Sequence, residues 1–233
     1  MKHLAKSLVT DQERVVLASD KSGIESCMIA VLNIAAGGVA KLEADSERLL
    51  LVLSGAISAH GNDGSTKLGA YDYLWQPAGR IDVTAIESAR LLEIVIPNGK
   101  SAGVRVTGHL DVNSFNPHQG HAAEGHSFDT YTLVDNKCGA SARIFAASVH
   151  PGSGMGLHFH PFDQFYFMLA GELQYQAGTA GSLAEPGDLI IFPAGTAHRN
   201  WNDSPKMALE ITINVPEFVP DSKNVYHLDV VEK

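Results

Sequence analysis

The sequence has 233 residues, of which 45% are hydrophobic and 18% are charged; this composition is typical of a folded globular protein and excludes extensive disorder. A formal net charge of −9 argues against a nucleic-acid backbone or an anionic membrane surface as a partner. The two cysteines, Cys27 and Cys138, follow no metal-binding spacing and are too few for a disulfide framework. The chain shows neither the apolar stretch of a signal peptide nor a run of about 18 apolar residues, so we expect a cytoplasmic protein.

Short apolar segments rich in Ile, Val, Leu and Phe recur along the chain, and each is closed by Gly, Pro, Asn or Asp. Such segments predict strands, and the regular turn signals between them predict an all-β sandwich or barrel. The first twenty residues are compatible with either a strand or a short helix. The predicted strands are, in chain order, Met28–Ile34, Leu49–Leu53, Arg90–Ile96, Arg143–Val149, Phe165–Leu169, Leu189–Phe192 and Ala208–Val215.

The two halves of the chain repeat each other in sequence. Three collinear segments match: residues 53–55 with 169–171 and 72–79 with 188–195, each 116 positions apart, and 92–94 with 209–211, 117 positions apart. Collinear matches of this kind predict two copies of one β unit. We therefore predict an N-terminal domain over 1–108, a connector rich in Gly, Asn, Pro and His over 109–127, and a C-terminal domain over 128–233.

The second copy contains the residues that are able to carry chemistry. His158 and His160 are two positions apart, so on a strand their side chains project from the same face. The proline after His160 is expected to turn the chain and return Gln164 to the same pocket. A second tight turn, at residues 193–196, is expected to deliver His198 from the opposite side. Imidazole is a common ligand for Zn, Fe, Ni and Cu, and glutamine can add an oxygen.

These residues resemble the two motifs of the cupin superfamily. The first, G-x(5)-H-x-H-x(3,4)-E-x(6)-G, matches from Gly152 to Gly171 with Gln164 in place of the usual Glu. The second, G-x(5)-P-x-G-x(2)-H-x(3)-N, matches from Gly187 to Asn202 without departure. The resemblance implies a bicupin, which has two double-stranded β-helix (jelly-roll) barrels in one chain.

The resemblance also implies a cofactor and a partner. It implies one divalent transition metal in the second barrel, held by His158, His160 and His198, with Gln164 as a candidate fourth ligand. Gln164 is equally expected to hydrogen-bond a ligand without touching the metal. We favour Fe(II), with Mn, Ni or Zn as alternatives, and we expect a small-molecule substrate and a homodimer.

The first copy departs from the motif. Subtraction of 116 places Leu42, Ala44, Arg48 and Asp82 at the four ligand positions, and none of them is a histidine. We therefore predict that the N-terminal barrel is a degenerate copy without a metal site. Its expected role is packing, oligomerisation or covering the mouth of the other barrel.

The glutamine at the ligand position has an electrostatic consequence. Three neutral imidazoles and a neutral amide contribute no charge, whereas a carboxylate ligand would contribute one negative charge. A divalent ion then keeps its full charge inside a poorly screened barrel. We therefore expect an anionic or enolisable substrate, such as a carboxylate, an enolate or a catecholate.

Two further residues, Tyr166 and Arg143, are candidates for roles in the pocket, and a third, Glu210, is expected to lie outside its chemistry. Tyr166 has the same strand parity as Gln164 and is either a catalytic proton donor or a packing residue. Arg143 lies in the strand before the first motif and is either a partner for a substrate carboxylate or a surface residue. Glu210 matches Glu93 of the degenerate copy, so we expect a structural role for Glu210, such as an ion pair with an arginine.

The predicted function is a metal-dependent enzyme that acts on a small organic molecule. The leading hypothesis is a dioxygenase, an oxidoreductase in which the metal binds substrate oxygens and O₂. The first alternative is a non-redox isomerase, lyase or hydrolase, in which the metal polarises a carbonyl or activates water. The second alternative is a binding or sensing protein without turnover.

Overall fold

The computed structural model describes residues 4–6, 14–42, 45–61, 64–97, 103–112, 128–217 and 223–228. Within these ranges the regular secondary structure is almost entirely β-strand. Helix is confined to two three-residue 3₁₀ turns, Asp20–Ser22 and Asn136–Cys138, and neither has the length or the apolar character needed to span a bilayer. The predicted all-β class is confirmed.

Every segment predicted as a strand lies in a strand of the structure. Each of these strands buries apolar side chains in the interior of a barrel. Among the first twenty residues, the described ones, 4–6 and 14–20, form two short strands and the start of a 3₁₀ turn. In chain order the described strands are β1 (Leu4–Lys6), β2 (Arg14–Ala18), β3 (Met28–Ile34), β4 (Val39–Leu42), β5 (Glu47–Ser54), β6 (Ile57–Gly61), β7 (Gly64–Leu68), β8 (Asp72–Gln76), β9 (Ile81–Ala85), β10 (Ala89–Ile96), β11 (Val106–His109), β12 (Phe128–Val134), β13 (Arg143–Val149), β14 (Gly154–Phe159), β15 (Asp163–Ala170), β16 (Leu173–Ala177), β17 (Ala180–Ala184), β18 (Asp188–Phe192), β19 (His198–Trp201), β20 (Ala208–Val215) and β21 (Tyr226–His227).

The chain divides into two compact units. The N-terminal unit comprises Ser7–Val112 and Leu133–Ser141, and the C-terminal unit comprises Met1–Lys6, Asn113–Thr132 and Ala142–Lys233. The division departs from the predicted boundaries at the start of the chain, because β1 pairs with β18 at the edge of a C-terminal sheet. Most of the predicted connector, residues 113–127, lies outside the described residues.

Each unit contains two antiparallel sheets. The sheets of the N-terminal unit have the strand orders β11-β8-β5-β10-β3-β2 and β4-β9-β6-β7, and those of the C-terminal unit have the orders β1-β18-β15-β20-β13-β12 and β17-β16-β19-β14-β21. Strands β3 to β10 therefore recur in the same arrangement as β13 to β20. Two sheets with this order enclose one apolar interior in each unit. These are the two predicted jelly-roll barrels.

Two glycines fix the register of the repeat. Gly55 and Gly171 have positive φ angles of 77° and 69°, a region in which a Cβ atom is strained. A Cβ on Gly55 would lie 2.9 Å from the Cα of Ala89, and one on Gly171 would lie 2.8 Å from the Cα of Ala208. The two alanines are therefore equivalent. They are 119 positions apart, whereas the glycines are 116 apart.

This register overturns one of the predicted matches. Leu91 of β10 lies opposite Val52, and Glu210 of β20 lies opposite Met168. Val52 and Met168 are 116 positions apart, so they are equivalent in the two barrels. Glu210 is therefore equivalent to Leu91, and its predicted equivalence to Glu93 is wrong. The sequence match aligned two similar Leu-Glu-Ile triplets that are not equivalent in the structure. The connections before β20 are longer than those before β10, and this difference in length shifts the register.

The predicted N-terminal equivalent of His198, Asp82, is also wrong. His158 pairs with His198, and Leu42, which is equivalent to His158, pairs with Ile81. Ile81, not Asp82, is thus the equivalent of His198. The C-terminal unit has one more residue between the turn and β19 than the N-terminal unit has before β9, so the two registers differ by one position. Asp82 therefore lies on the outer face of β9 and not at the ligand position.

The interior of the N-terminal barrel is filled by apolar side chains. The equivalents of His158, His198 and Glu210 all belong to this core, and they are Leu42, Ile81 and Leu91. Arg48, the equivalent of Gln164, is buried, and its Nε donates to Glu93 Oε1 at 2.9 Å. Ala44, the remaining predicted position, lies outside the described residues.

Candidate metal centre

Three imidazoles meet inside the C-terminal barrel. His158 is in β14 and pairs with His198 at the start of β19, while His160 lies just after β14. All three are buried, and their candidate ligand nitrogens lie within 4.8 Å of one another. Over the ranges that the structure describes, this is the group of His, Cys, Asp or Glu side chains able to hold a metal ion, and it contains no carboxylate.

Two turns bring the site together as the sequence predicts. The chain reverses after His160, so β15 begins at Asp163 and places Gln164 beside the imidazoles. In the second turn the backbone N–H of Thr196 donates to the carbonyl of Pro193 at 2.9 Å. The N–H of Gly195 donates to the carbonyl of His160 at 2.8 Å, which joins the two turns.

The Nδ1 atom of each imidazole donates to a backbone carbonyl. Because a carbonyl only accepts, each ring carries its proton on Nδ1 and presents a lone pair on Nε2. Burial lowers the pKa of His160, and burial together with the neighbouring His158 lowers the pKa of His198 to about 3, so these rings are neutral near pH 7. The three contacts are His158 to Gly156 at 2.7 Å, His160 to Asn224 at 2.6 Å and His198 to Thr196 at 2.8 Å.

Aromatic rings fix the orientation of two of the imidazoles. Phe192 stacks on His198 with ring centroids 4.1 Å apart and an angle of 17° between the planes. Phe162 stacks on His160 at 4.7 Å and 12°. The stacking and the Nδ1 hydrogen bonds together hold the Nε2 lone pairs towards a common centre. The Nε2 of His160 is buried, and no residue in the ranges that the structure describes forms a hydrogen bond with it.

Gln164 directs its amide oxygen to the same centre. Its Nε2 donates to Asn214 Oδ1 at 3.1 Å, and its Oε1 accepts from the Tyr166 hydroxyl at 2.8 Å. The Oε1 lies 3.1 Å from Nε2 of His198, which already carries its proton on Nδ1. Two acceptor lone pairs therefore face each other, an arrangement that a cation bound to both atoms would satisfy. The uncharged nitrogen and oxygen donors fit a divalent transition metal.

A cavity of about 710 Å³ opens from the imidazoles, a size typical of small-molecule sites. Both predicted catalytic candidates, Tyr166 and Arg143, line it. The Arg143 guanidinium lies 4.6 Å from the centre of the Phe145 ring, a cation–π contact. Burial, followed by the nearby Glu210, raises the pKa of Tyr166 well above its usual value, so this phenol keeps its proton.

Glu210 also lines the cavity, and sequence reasoning missed it. The expected ion pair with an arginine is wrong for Glu210: its Oε1 accepts from Thr212 at 3.2 Å, and its Oε2 has no partner in the described part of the chain. The residue is only 3% exposed, and burial raises its pKa to about 8. A carboxyl between two apolar residues, Leu209 and Ile211, was the available signal.

Two asparagines that support the site were also missed. Asn214 holds the Gln164 amide, and the carbonyl of Asn224 holds His160. Asn224 acts through its backbone, so its residue type carries no signal for this role. The contact joins segments 64 residues apart, which only the folded chain shows.

Comparison with known proteins supports the cupin resemblance at the level of sequence and of fold. The family model described as "Cupin domain" matches residues 145–214. No curated protein matches this chain. The family match therefore covers the strands that contribute the histidines and the pocket wall, from β13 to β20.

Solved structures share the fold of nearly the whole chain. A protein of Pseudomonas aeruginosa assigned as glyoxylate-induced has a TM-score of 0.73 at 18% identity, over 91% of this chain and 83% of that one. The oxalate decarboxylase of Lactobacillus farciminis, in a formate complex, has a TM-score of 0.71 at 11% identity, over 98% and 89%. A cupin 2 conserved barrel domain protein of Leptotrichia buccalis has a TM-score of 0.65 at 17% identity, over 89% and 92%. At these identities the similarity is one of fold.

Proposed function

For a chain that has the two-barrel fold of the cupin superfamily, with a cupin domain over residues 145–214, we propose a metal-dependent enzyme that acts on a small anionic or enolisable molecule. The observation that carries this proposal is a donor set without a carboxylate, made of three imidazoles and the Gln164 amide oxygen. A divalent ion bound there supplies a Lewis acid and, if redox-active, a site for O₂ chemistry. A chelating anion would neutralise the positive charge of the metal ion, which uncharged ligands do not neutralise.

The remaining pocket residues fit the same substrate class. Arg143 supplies a cation to a carboxylate, and its stack on Phe145 limits the directions in which the guanidinium can point. Tyr166 holds the Gln164 oxygen towards the imidazoles, so we assign it a positioning role alongside its predicted role as a proton donor. Phe128 and Phe162 add apolar surface that excludes water around a bound molecule.

Within this class we propose dioxygenation of an enolisable substrate, with Fe(II), as the leading reaction. In a dioxygenation both atoms of O₂ enter the products and the substrate supplies all the electrons, so no further reductant is needed. The largely apolar pocket favours this chemistry because it keeps bulk water away from a reactive substrate.

A non-redox isomerase, lyase or hydrolase is the second candidate, and one observation favours it. Such reactions move protons, and Glu210 places a protonated carboxyl in the pocket. In this case Mn or Zn is sufficient and O₂ is not consumed. The similarity to an oxalate decarboxylase is one of fold and adds no substrate.

Metal content and oxygen consumption test the proposal. Protein purified without chelators or a His tag is analysed for metals, stripped, loaded anaerobically with Fe(II), and assayed for O₂ uptake with acetylacetone and with aromatic diols. Uptake that is lost in His158→Ala and kept in His60→Ala, a histidine exposed on β6, supports the dioxygenase. Anaerobic turnover with Zn or Mn supports the second candidate. Tight ligand binding without turnover, unchanged in His158→Ala, contradicts both and points to a binding protein.

The predicted homodimer and cytoplasmic location remain predictions. Light scattering of the purified protein measures the mass in solution against the 24.9 kDa of one chain. Fractionation of the source cells locates the protein.

A further inference from the structure

Polar side chains follow the wall of the C-terminal barrel from the imidazoles to Glu210. Gln164, Tyr166 and Met168 alternate along β15, and Asn214, Thr212 and Glu210 lie opposite them on β20. Four positions on a strand separate Glu210 from Asn214, which corresponds to about 13 Å of backbone. The cavity borders Gln164, Tyr166 and the whole β20 row, so it extends from the candidate metal centre to Glu210.

The fold itself does not require a carboxyl at this place. Leu91, the equivalent residue in the N-terminal barrel, is fully buried in the apolar core. Around Glu210 the barrel presents Met168 and Ala147 on the neighbouring strands, which offer no polar partner. A buried polar group without a full set of hydrogen bonds destabilises a protein. A destabilising group at a core position that borders a cavity is typical of a residue kept for binding or chemistry.

The hydrogen bonds of Glu210 leave one oxygen for a ligand. Thr212 donates to Oε1, whereas Oε2 has no partner among the described residues. Burial raises the pKa of the carboxyl to about 8, so at neutral pH the proton is present and Oε2 is available as a donor. Tyr166 is the other hydroxyl on this wall, and its proton is already engaged by Gln164.

We infer that Glu210 recognises the tail of the substrate, by donating a hydrogen bond from Oε2 to an uncharged oxygen acceptor several carbons away from the metal-chelating group. The inference rests on the proposed function for the chelating end. It narrows the substrate to bifunctional molecules, such as 2-oxo acids that carry a second carbonyl or carboxamide. A plain alkyl tail would leave the Glu210 donor buried and unpaired.

Thermal unfolding of the metal-free protein tests whether Glu210 is there for stability. In Glu210→Leu, which installs the residue of the N-terminal core, we expect the midpoint to rise by about 4 °C, because a buried polar group is replaced by a core residue. Glu172→Leu, at an exposed position, is the control and should not produce this rise. A lower midpoint in Glu210→Leu would show a structural role and overturn the inference.

Calorimetry on the Zn-loaded proteins tests the recognition itself. The probes are two pairs of 2-oxo acids that differ by one carbonyl, 2-oxohexanoate with 2,5-dioxohexanoate and 2-oxoheptanoate with 2,6-dioxoheptanoate. In one pair at least, we expect wild type to bind the dioxo acid about tenfold more tightly. Glu210→Gln, whose amide can still donate, should keep part of this preference. Glu210→Leu should lose it, because an alkyl tail no longer leaves a buried donor unpaired.

Two results would overturn the inference. If wild type and Glu210→Leu showed the same preference for the dioxo acids, Glu210 would not recognise the tail. If wild type bound none of the four acids, this substrate class would be excluded. His158→Ala separates the inference from the proposed function on which it rests. If that variant binds the acids as tightly as wild type, metal chelation is wrong, and the tail preference is still measured by the Glu210 variants.

Discussion

The two barrels share a strand order and differ in what fills them. In the N-terminal unit Leu42, Ile81 and Leu91 close the interior with apolar packing. In the C-terminal unit the equivalent positions carry His158, His198 and Glu210, and two of them, His158 and Glu210, border a cavity. The strand pairings are the same, so the architecture tolerates either interior. What decides the difference is a few side chains on facing strands.

The charged groups of the two barrels differ in the same way. Glu93 is fully buried, and it pairs with Arg48 and with Arg14. Its equivalent in the C-terminal unit is Thr212, and Arg48 is replaced by Gln164. One barrel therefore compensates its buried carboxylate, while the other leaves neutral polar groups facing a cavity. The C-terminal barrel therefore has a cavity where the N-terminal barrel has a packed apolar core.

The largest effect is expected when a residue of the C-terminal site is replaced by its N-terminal equivalent. In His198→Ile we expect affinity for Zn or Mn to fall by more than about 100-fold, because loss of an outer hydrogen-bond partner alone costs about 10–100-fold. Metal content after dialysis against a competing chelator measures the loss. His60→Ala is the matched control. Wild-type metal content in His198→Ile would show that the imidazoles do not form the site.

The carboxyl of Glu210 should make the stability of the metal-free protein depend on pH. Its pKa is raised from 4.5 to about 8, so the unfolded chain ionises first, and unfolding becomes easier as the pH rises from about 5 to 8. We expect the unfolding free energy of wild type to fall, relative to Glu210→Gln, by up to about 4 kcal/mol over this window. Urea titrations at several pH values measure the difference.

The comparison of wild type with Glu210→Gln isolates this carboxyl. The buried imidazoles destabilise the fold at low pH, but both proteins contain them and their effect cancels. Tyr166, which faces Glu210, keeps its proton throughout. A constant difference between the two proteins from pH 5 to 8 would contradict burial of an ionisable group at this position.

Removal of the buried cation should damage the N-terminal barrel. Arg48→Gln, which installs the C-terminal residue, leaves Glu93 with the half-exposed Arg14 as its charged partner. We expect the unfolding free energy to fall by about 3 kcal/mol, as is typical when one partner of a buried pair is removed. Arg80→Gln removes one partner of an exposed pair with Asp82 and should change the unfolding midpoint little. Equal effects of the two variants would mean that burial is not what makes the Arg48 pair matter.

A carboxylate at position 164 should change ligand affinity by a smaller factor, and it tests how the charge of the donor set affects binding of an anion. Gln164→Glu adds a negative charge to the donor set, and the Tyr166 hydroxyl can still donate to it. We expect tighter binding of Zn or Mn and about tenfold weaker binding of oxalate to the metal-loaded protein. Gln174→Glu, on a partly exposed part of β16, is the control. Unchanged oxalate binding in Gln164→Glu would remove the link between the neutral ligands and an anionic substrate.

Much of the architecture was predictable from the sequence, because it depends on local patterns. Apolar segments closed by turn residues located the strands, since strand length and turn chemistry are short-range properties. The spacing of His158, His160 and His198 between two turns predicted their convergence for the same reason. The repeat was visible through its turns, as at Gly55 and Gly171, where a side chain would collide with the next strand.

The relations between distant strands became visible only in the folded chain. Equivalence of Glu210 with Leu91 follows from cross-strand register, which a change in loop length shifts without altering the strand pattern. The pairing of β1 with β18 and the contact of Asn224 with His160 join segments far apart in sequence. Local residue patterns determined which strands and which imidazoles this protein has. Long-range packing determined that Glu93 is compensated while Glu210 faces a cavity, because burial and charge compensation depend on neighbours that the chain supplies only when folded.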